Sequence, residues 1–257
     1  MATRMTAEDS MMRPPLSVQL YTVREQLTTD PAGTMEALAT MGFTAVEPYG
    51  LDALEPAVAH AVREQGLTVP TAHGAVIAQT AVVLETATAL GCQTVIEPWQ
   101  PASAFADRDG IAAIARSLND AAAQAADQGM TVGYHNHDHE LRQLVEGVPA
   151  LLLLAELTDE RVQFELDAYW CAVAGADPVH IARSLGDRLV AVHAKDGDPH
   201  ADVSAQVAAG AGSVPIAATL AAAPHARAIV EFDLLPASGM DAIAESLRYL
   251  RALENQS

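Results

Sequence analysis

The chain has 257 residues, half of them apolar, and sets 33 acidic against 14 basic residues for a formal net charge of −19. This length matches the roughly 250 residues of one closed α/β barrel and supports a large core without disulfides or structural metals. The acidic excess repels a nucleic-acid backbone, and apolar runs such as 151–155 fall far short of the roughly 20 residues of a membrane span, so a small molecule is the expected partner.

Residues 1–15 hold Arg4, Glu8, Asp9 and Arg13 without the apolar stretch of a secretory signal. They read as a disordered leader before a single domain at 16–257, in a cytoplasmic protein. Strand-like apolar runs then alternate with helix-like stretches: strand 16–22, helix 32–41, strand 43–48, helix 52–65, strand 67–73, helix 78–90, strand 92–97 and helix 109–128. The second half continues with strand 130–136, helix 145–157, strand 162–167, helix 178–185, strand 189–193, helix 214–223, strand 228–232 and helix 239–253. Glycine closes several of the helices, as at Gly42 and Gly91. The strands are apolar on nearly every position until their last residues, which is the pattern of a parallel sheet buried on both faces. Cys92 and Cys171 lie in or beside such runs and read as reduced, buried thiols. Eight βα units with neither GxGxxG nor GxxxxGK[ST] predict a single (β/α)8 barrel in the α/β class.

Polar residues end the strands in order: Tyr21, Glu47, His73, Glu97, His135, Asp167, His193 and Glu231. In a barrel these ends share one mouth, where loops build the active site. Asp167 in FELDAYW, His193 in VHAKDG and Glu231 in IVEFD form a carboxylate, imidazole, carboxylate set that suits manganese, zinc, cobalt, iron or magnesium. Taken singly, each has a plainer reading, since a strand-ending Asp often caps the next helix. The segment YHNHDHE, 134–140, closes the fifth strand; His135 and His137 share a face if the strand persists that far, and Glu140 can fold back as an oxygen ligand.

At these residues the chain resembles the sugar phosphate isomerase/epimerase superfamily, the xylose-isomerase-like barrels that also include inosose dehydratase, ketose 3-epimerases, hydroxypyruvate isomerase and endonuclease IV. The resemblance runs from LSVQLYTVRE through GFTAVEPYG, TAHG, YHNHDHE, ELDAYW, VHAKDG and AGAGSVP to IVEFD. It implies one divalent metal ion, often manganese, with Asp167, His193 and Glu231 in the ligand positions of strands six to eight. Most of the family ends strand five with a glutamate ligand, and here His135 occupies that slot. Either His135 replaces the carboxylate, or Glu140 reaches back while His135 touches substrate; Glu140 is favoured, because a second carboxylate better balances the metal charge.

The chemistry so implied is isomerisation or epimerisation of a sugar or keto-sugar through an enediolate, with the ion as Lewis acid and Glu231 or the strand-five acid as base. Lys195 is placed to donate to a substrate oxygen, or is a surface lysine paired with Asp196. His73, Glu97 and His137 would bond the sugar, and Tyr21 and Trp170 would stack on it. A lyase or dehydratase acting on a keto-sugar, a 3-keto-glycoside or an inosose uses the same residues, and a non-catalytic binding barrel is the reading from another class. Phosphorylated substrates are disfavoured by the scarcity of basic residues in the last loops, although backbone binding near Gly210 and Gly212 is open. The sequence does not set the oligomeric state.

Overall fold

The computed structural model describes residues 14–202, 204–236 and 239–255, so most of the expected leader lies outside the described residues. Eight parallel strands form the barrel: β1 (Ser17–Gln19), β2 (Ala45–Glu47), β3 (Thr71–His73), β4 (Thr94–Glu97), β5 (Thr131–His135), β6 (Val162–Asp167), β7 (Leu189–His193) and β8 (Arg227–Val230). β1 pairs with both β2 and β8, and the remaining strands follow in sequence order from β8 back to β3. The last seam, between β2 and β3, closes where Ala45 pairs with Thr68 and where His73 N donates to Pro48 O at 2.8 Å. All eight strands therefore point the same way, and their C-terminal ends meet at one mouth.

The crossover helices are α1 (Pro31–Met41), α2 (Pro56–Glu64), α3 (Val76–Leu90), α4 (Arg108–Ala126), α5 (Ala150–Leu157), α6 (Pro178–Leu185), α7 (Ile216–Ala222) and α8 (Met240–Glu254). Their starts and stops follow local chemistry. Asp30 and Asp107 accept from the backbone N–H of Gly33 and Gly110, and Gly42 and Gly91 end α1 and α3 in the left-handed conformation. Apolar stripes such as Ile111, Ile114, Leu118 and Ala122 of α4 are buried and join a continuous core with the strands. Among the described residues no helix is long and apolar enough to cross a membrane.

The expected helix at 145–157 begins later than its apolar pattern suggests. Leu144–Val145 and Val148–Pro149 form a small antiparallel hairpin around Glu146 and Gly147, whose φ angles of 56° and 82° suit a tight turn and not a helix. A short helix, Ala168–Val173, follows β6 directly and is capped by Asp167.

The loop after β7 is organised by one buried side chain. Asp196 accepts from Gly197 N at 2.8 Å and Val214 N at 3.0 Å through one oxygen, and from Gly210 N at 2.9 Å and Gly212 N at 3.1 Å through the other. A Cβ at Gly212 would lie 2.2 Å from that carboxylate, which explains why glycine stands there. The backbone donors expected to be open to a phosphate are thus taken by the protein's own carboxylate. Hydrogen bonds to a charged acceptor are worth roughly 1.5–3 kcal/mol each and are not additive. We expect Asp196→Ala to lower stability by about 3 kcal/mol in a urea titration; a change within about 0.5 kcal/mol would mean that the loop does not depend on this residue.

Candidate metal and substrate site

The mouth is built in two layers, because successive inward positions on a strand are two residues apart. β6 shows this directly, with Glu165 in the deeper layer and Asp167 in the outer one.

In the deeper layer three ring nitrogens press on one oxygen of Glu165: His73 Nε2 at 2.6 Å, His135 Nδ1 at 3.0 Å and His193 Nε2 at 3.0 Å. Glu47 lies beside them, accepting from Gln19 Nε2 and lying within hydrogen-bond distance of His193 Nε2, each at 2.8 Å, with Thr71 Oγ1 on its other oxygen. Burial opposes every charge here, and the partners decide the outcome. Burial alone would raise Glu165, yet His193 and His73 hold it well below the usual carboxylate range. Glu47 is raised, by burial and by the charge of Glu165. His73 and His193 are raised because the two carboxylates outweigh the burial of their rings, whereas burial keeps His135 well below the usual histidine range.

The outer layer holds Asp167, Glu231, Lys195 and Asp233, with His193 between the layers. Asp167 divides its two oxygens: Oδ1 caps the following helix through Trp170 N at 2.9 Å, while Oδ2 faces the mouth. One carboxylate thus caps a helix and faces the mouth at the same time. Lys195 is only 1 % exposed, so it is not a surface lysine. Its Nζ sits 2.9 Å from Asp167 Oδ2, 2.8 Å from Asp233 Oδ2 and in closer contact with Glu231 Oε2, and these charges raise it well above the usual lysine range against the cost of burial. Asp196 is engaged elsewhere, which disposes of the surface pair. Burial pushes the Glu231 carboxyl up to about 7 despite the opposing pull of Lys195.

In this layer His193 Nδ1 is buried without a hydrogen-bond partner, and the buried Asp167 Oδ2 and Glu231 Oε2 are both met by Lys195 Nζ. These three side chains can bring one ligand atom each within 4.8 Å of one another, and two carboxylates with one imidazole are donors that suit a divalent ion. The residues present fit such an ion.

Above the layers opens a cleft of about 400 Å³ walled by His73, His135, His193, Lys195, Glu231 and Asp233, with Tyr21, Tyr49, Trp99 and His137 around its rim. Tyr21 lies on the 3-10 turn after β1, 41 % exposed, with its ring edge-on to Tyr49.

A model of the xylose isomerase-like TIM barrel matches residues 35–253. The chain belongs to that family. Similar solved structures include a sugar phosphate isomerase/epimerase from Parabacteroides distasonis, 20% identical with a TM-score of 0.76, each chain covered to 96%. A probable 3-DHS dehydratase from Bacillus anthracis is 14% identical with a TM-score of 0.72, over 93% of this chain and 99% of that one. A 3-keto-D-glucoside 4-epimerase from E. coli is 20% identical with a TM-score of 0.66, over 94% of this chain and 99% of that one. A comparison with curated proteins gives no match.

In this xylose isomerase-like barrel several residues hold other posts than the sequence suggests. Glu140 does not join either group of side chains that can share an ion. Its carboxylate accepts from Tyr134 OH at 2.7 Å and from His137 N at 2.8 Å, so it fixes the turn that presents His137 to the cleft. The argument from charge balance favoured Glu140 over His135; the turn geometry overrides it, and His135 is the strand-five residue in the mouth. β5 ends at His135, so His137 reaches the rim from that turn and not from a prolonged strand. Glu97 accepts from Ile77 N at 2.9 Å and Gln100 Nε2 at 3.0 Å, tying α3 to the end of β4, and is not part of the cleft wall. Trp170 also stands behind that wall, with Lys195 Nζ 5.5 Å from its ring centre. Glu165, Gln19 and Asp233 were missed. A period of two counted from Asp167, Tyr21 and Glu231 would have found all three.

Removing Lys195 strands buried carboxylates. Lys195→Met is expected to cost about 3–5 kcal/mol in the metal-free protein by chemical denaturation; unchanged stability would show that the ammonium does not compensate them. His137 gives a pH test. Burial, reinforced by Lys195, lowers it to about 3 from 6.5. Below pH 6.5 the unfolded chain takes up a proton that the folded ring refuses, so stability falls as pH drops through that window toward about 3. His137→Asn should therefore lose stability less steeply than the parent chain over the same range, and parallel profiles would contradict the assignment.

Proposed function

We propose that the chain is a divalent-metal-dependent isomerase or epimerase of a small sugar or keto-sugar. The observation that carries this reading is the outer layer, where Asp167 Oδ2, His193 Nδ1 and Glu231 Oε2 converge, buried, with Lys195 beside the two carboxylates, under a cleft of monosaccharide size. Asp167, His193 and Glu231 would hold the ion, with manganese the best match to the donors and to the resemblance. When bound, the ion supplies Lewis-acid stabilisation to a substrate carbonyl and its enediolate.

The protein's own groups supply the rest. Glu231, buried at the floor of the cleft, is placed to take a carbon-bound proton and return it. Lys195 offers a fixed positive charge to an oxygen that becomes anionic, and its burial strengthens that effect. His73 and His137 line the space where sugar hydroxyls bind, and Tyr21 and Trp99 present aromatic faces at the rim. Gly210 and Gly212 donate to Asp196, which supports an unphosphorylated substrate. The two cysteines, buried and free, support a reducing, cytoplasmic setting.

A lyase acting on a keto-sugar is the second reading, favoured by one feature. His137 Nδ1 is buried in the mouth without a hydrogen-bond partner, and its neutral ring can take a carbon-bound proton and pass it to a departing hydroxyl, a relay that elimination needs and isomerisation does not. A silent binding barrel would gain nothing from burying these charges.

All three chemical outcomes, isomer, epimer or elimination product, begin with removal of a carbon-bound proton. With a keto-sugar that turns over, deuterium from solvent is expected at the reacting carbon, lost on chelation and reduced about 10²–10⁴-fold in Glu231→Gln with metal content measured in parallel. Full turnover by protein verified to be metal-free would reject the proposal.

A further inference from the structure

We propose that the deeper layer, His73, His135, Glu165 and His193, is a second divalent-metal site of three imidazoles and one carboxylate. It does not rest on an ion being held in the outer layer.

The geometry is that of three ring nitrogens gathered closely around one carboxylate. One ligand atom from each of the four residues lies within 4.8 Å of all the others. The rings come from β3, β5 and β7 and surround the end of Glu165 on β6, with centroids 5.1 Å apart for His73 and His135, 4.6 Å for His135 and His193, and 5.5 Å for His73 and His193. As a purely hydrogen-bonded cluster the arrangement is lopsided. Three ring nitrogens crowd Glu165 Oε1, which has two lone pairs, while Oε2 is buried with no hydrogen-bond partner at all. An unpartnered carboxylate oxygen in a buried layer is costly, and an ion that takes a lone pair from each ring and one from Glu165 relieves the crowding while adding a positive charge beside the carboxylate.

Charge agrees with this. Glu47 Oε1 lies 2.8 Å from His193 Nε2 and 3.5 Å from His73 Nε2, so a dication among the rings would face two carboxylates, Glu47 and Glu165, and the layer would be neutral. Access agrees too, since His73, His135 and His193 all form part of the cleft wall.

The donor chemistry sets this site apart from the outer one. Three imidazoles favour zinc, cobalt, nickel or copper over magnesium and calcium, whereas two carboxylates with one imidazole suit manganese or magnesium. His193 links the two: Nε2 faces the deeper layer, while Nδ1 stands 4.0 Å from Glu231 Oε2. A neutral imidazole has a single lone pair, so His193 ligates one ion at a time: an ion in the deeper layer leaves an N–H directed at the outer carboxylates, and the two sites are alternatives at this ring.

The test uses the full chain with the outer layer disabled, as the double variant Asp167→Asn, Glu231→Gln, stripped of metal and titrated with zinc or cobalt. We expect one ion per chain, an X-ray absorption spectrum of the zinc form showing three imidazoles in the first shell, and visible ligand-field bands in the cobalt form. Adding His73→Asn or His135→Asn should weaken binding by more than about tenfold, the least that loss of a mere supporting contact causes. Circular dichroism of each metal-free variant checks that it folds, and the absorption spectrum of the double variant needs no change in the deeper layer. No zinc bound by the folded double variant, a shell without imidazoles, or affinity unmoved by both histidine variants would overturn the proposal. A wild-type chain that holds zinc in this shell yet shows no metal-dependent exchange would reject the isomerase reading and leave this site standing. Manganese-dependent exchange in a chain that cannot load the deeper layer would do the reverse.

Discussion

Lys195 and the three carboxylates around it hold the outer layer of the mouth together. A buried ammonium and a buried carboxylate each lose several kcal/mol of hydration, which their mutual attraction repays only when they are close and well placed. Here one cation serves Asp167, Glu231 and Asp233 from the end of β6 and from the chain just past β8, and the loop after β7 supplies the lysine. Three consecutive βα connections are thereby tied to one atom. The arrangement also explains the elevated Glu231 carboxyl, since a single positive charge shared among three acids cannot hold all of them fully ionised against burial.

The deeper layer solves the same problem with different chemistry. Glu47 and Glu165 are compensated by the rings of His73 and His193, while His135, the third ring, stays neutral because burial dominates there. His193 belongs to both layers, so the protonation or ligation of one is felt by the other through a single ring.

Around this polar centre the scaffold is conventional in its physics. Parallel strands buried on both faces leave only their ends free for function, and loops such as the one ordered by Asp196 are braced internally by the protein's own charges. The same bracing narrows the chemistry. The amides of Gly210 and Gly212 are committed to Asp196, so these two donors are not open to a phosphate.

Much of this was written in the chain. Eight apolar runs with polar ends dictate eight buried parallel strands and one mouth, and strand-ending residues such as His73, His135, Asp167, His193 and Glu231 do assemble there, because the direction of a strand end follows from topology alone. Glu165 was legible by the period of two and was passed over only because it lies inside the strand. Other features needed the folded chain. Whether Glu140 reaches the mouth or pins the turn before it depends on the path of four residues after β5, and Lys195 finds its partners in Asp167 at the end of β6 and Glu231 just past β8, and not in the neighbouring Asp196. Sequence spacing specifies which element a residue is on; which charges meet across the barrel is decided by packing, where a displacement of a few ångströms turns a surface pair into a buried one.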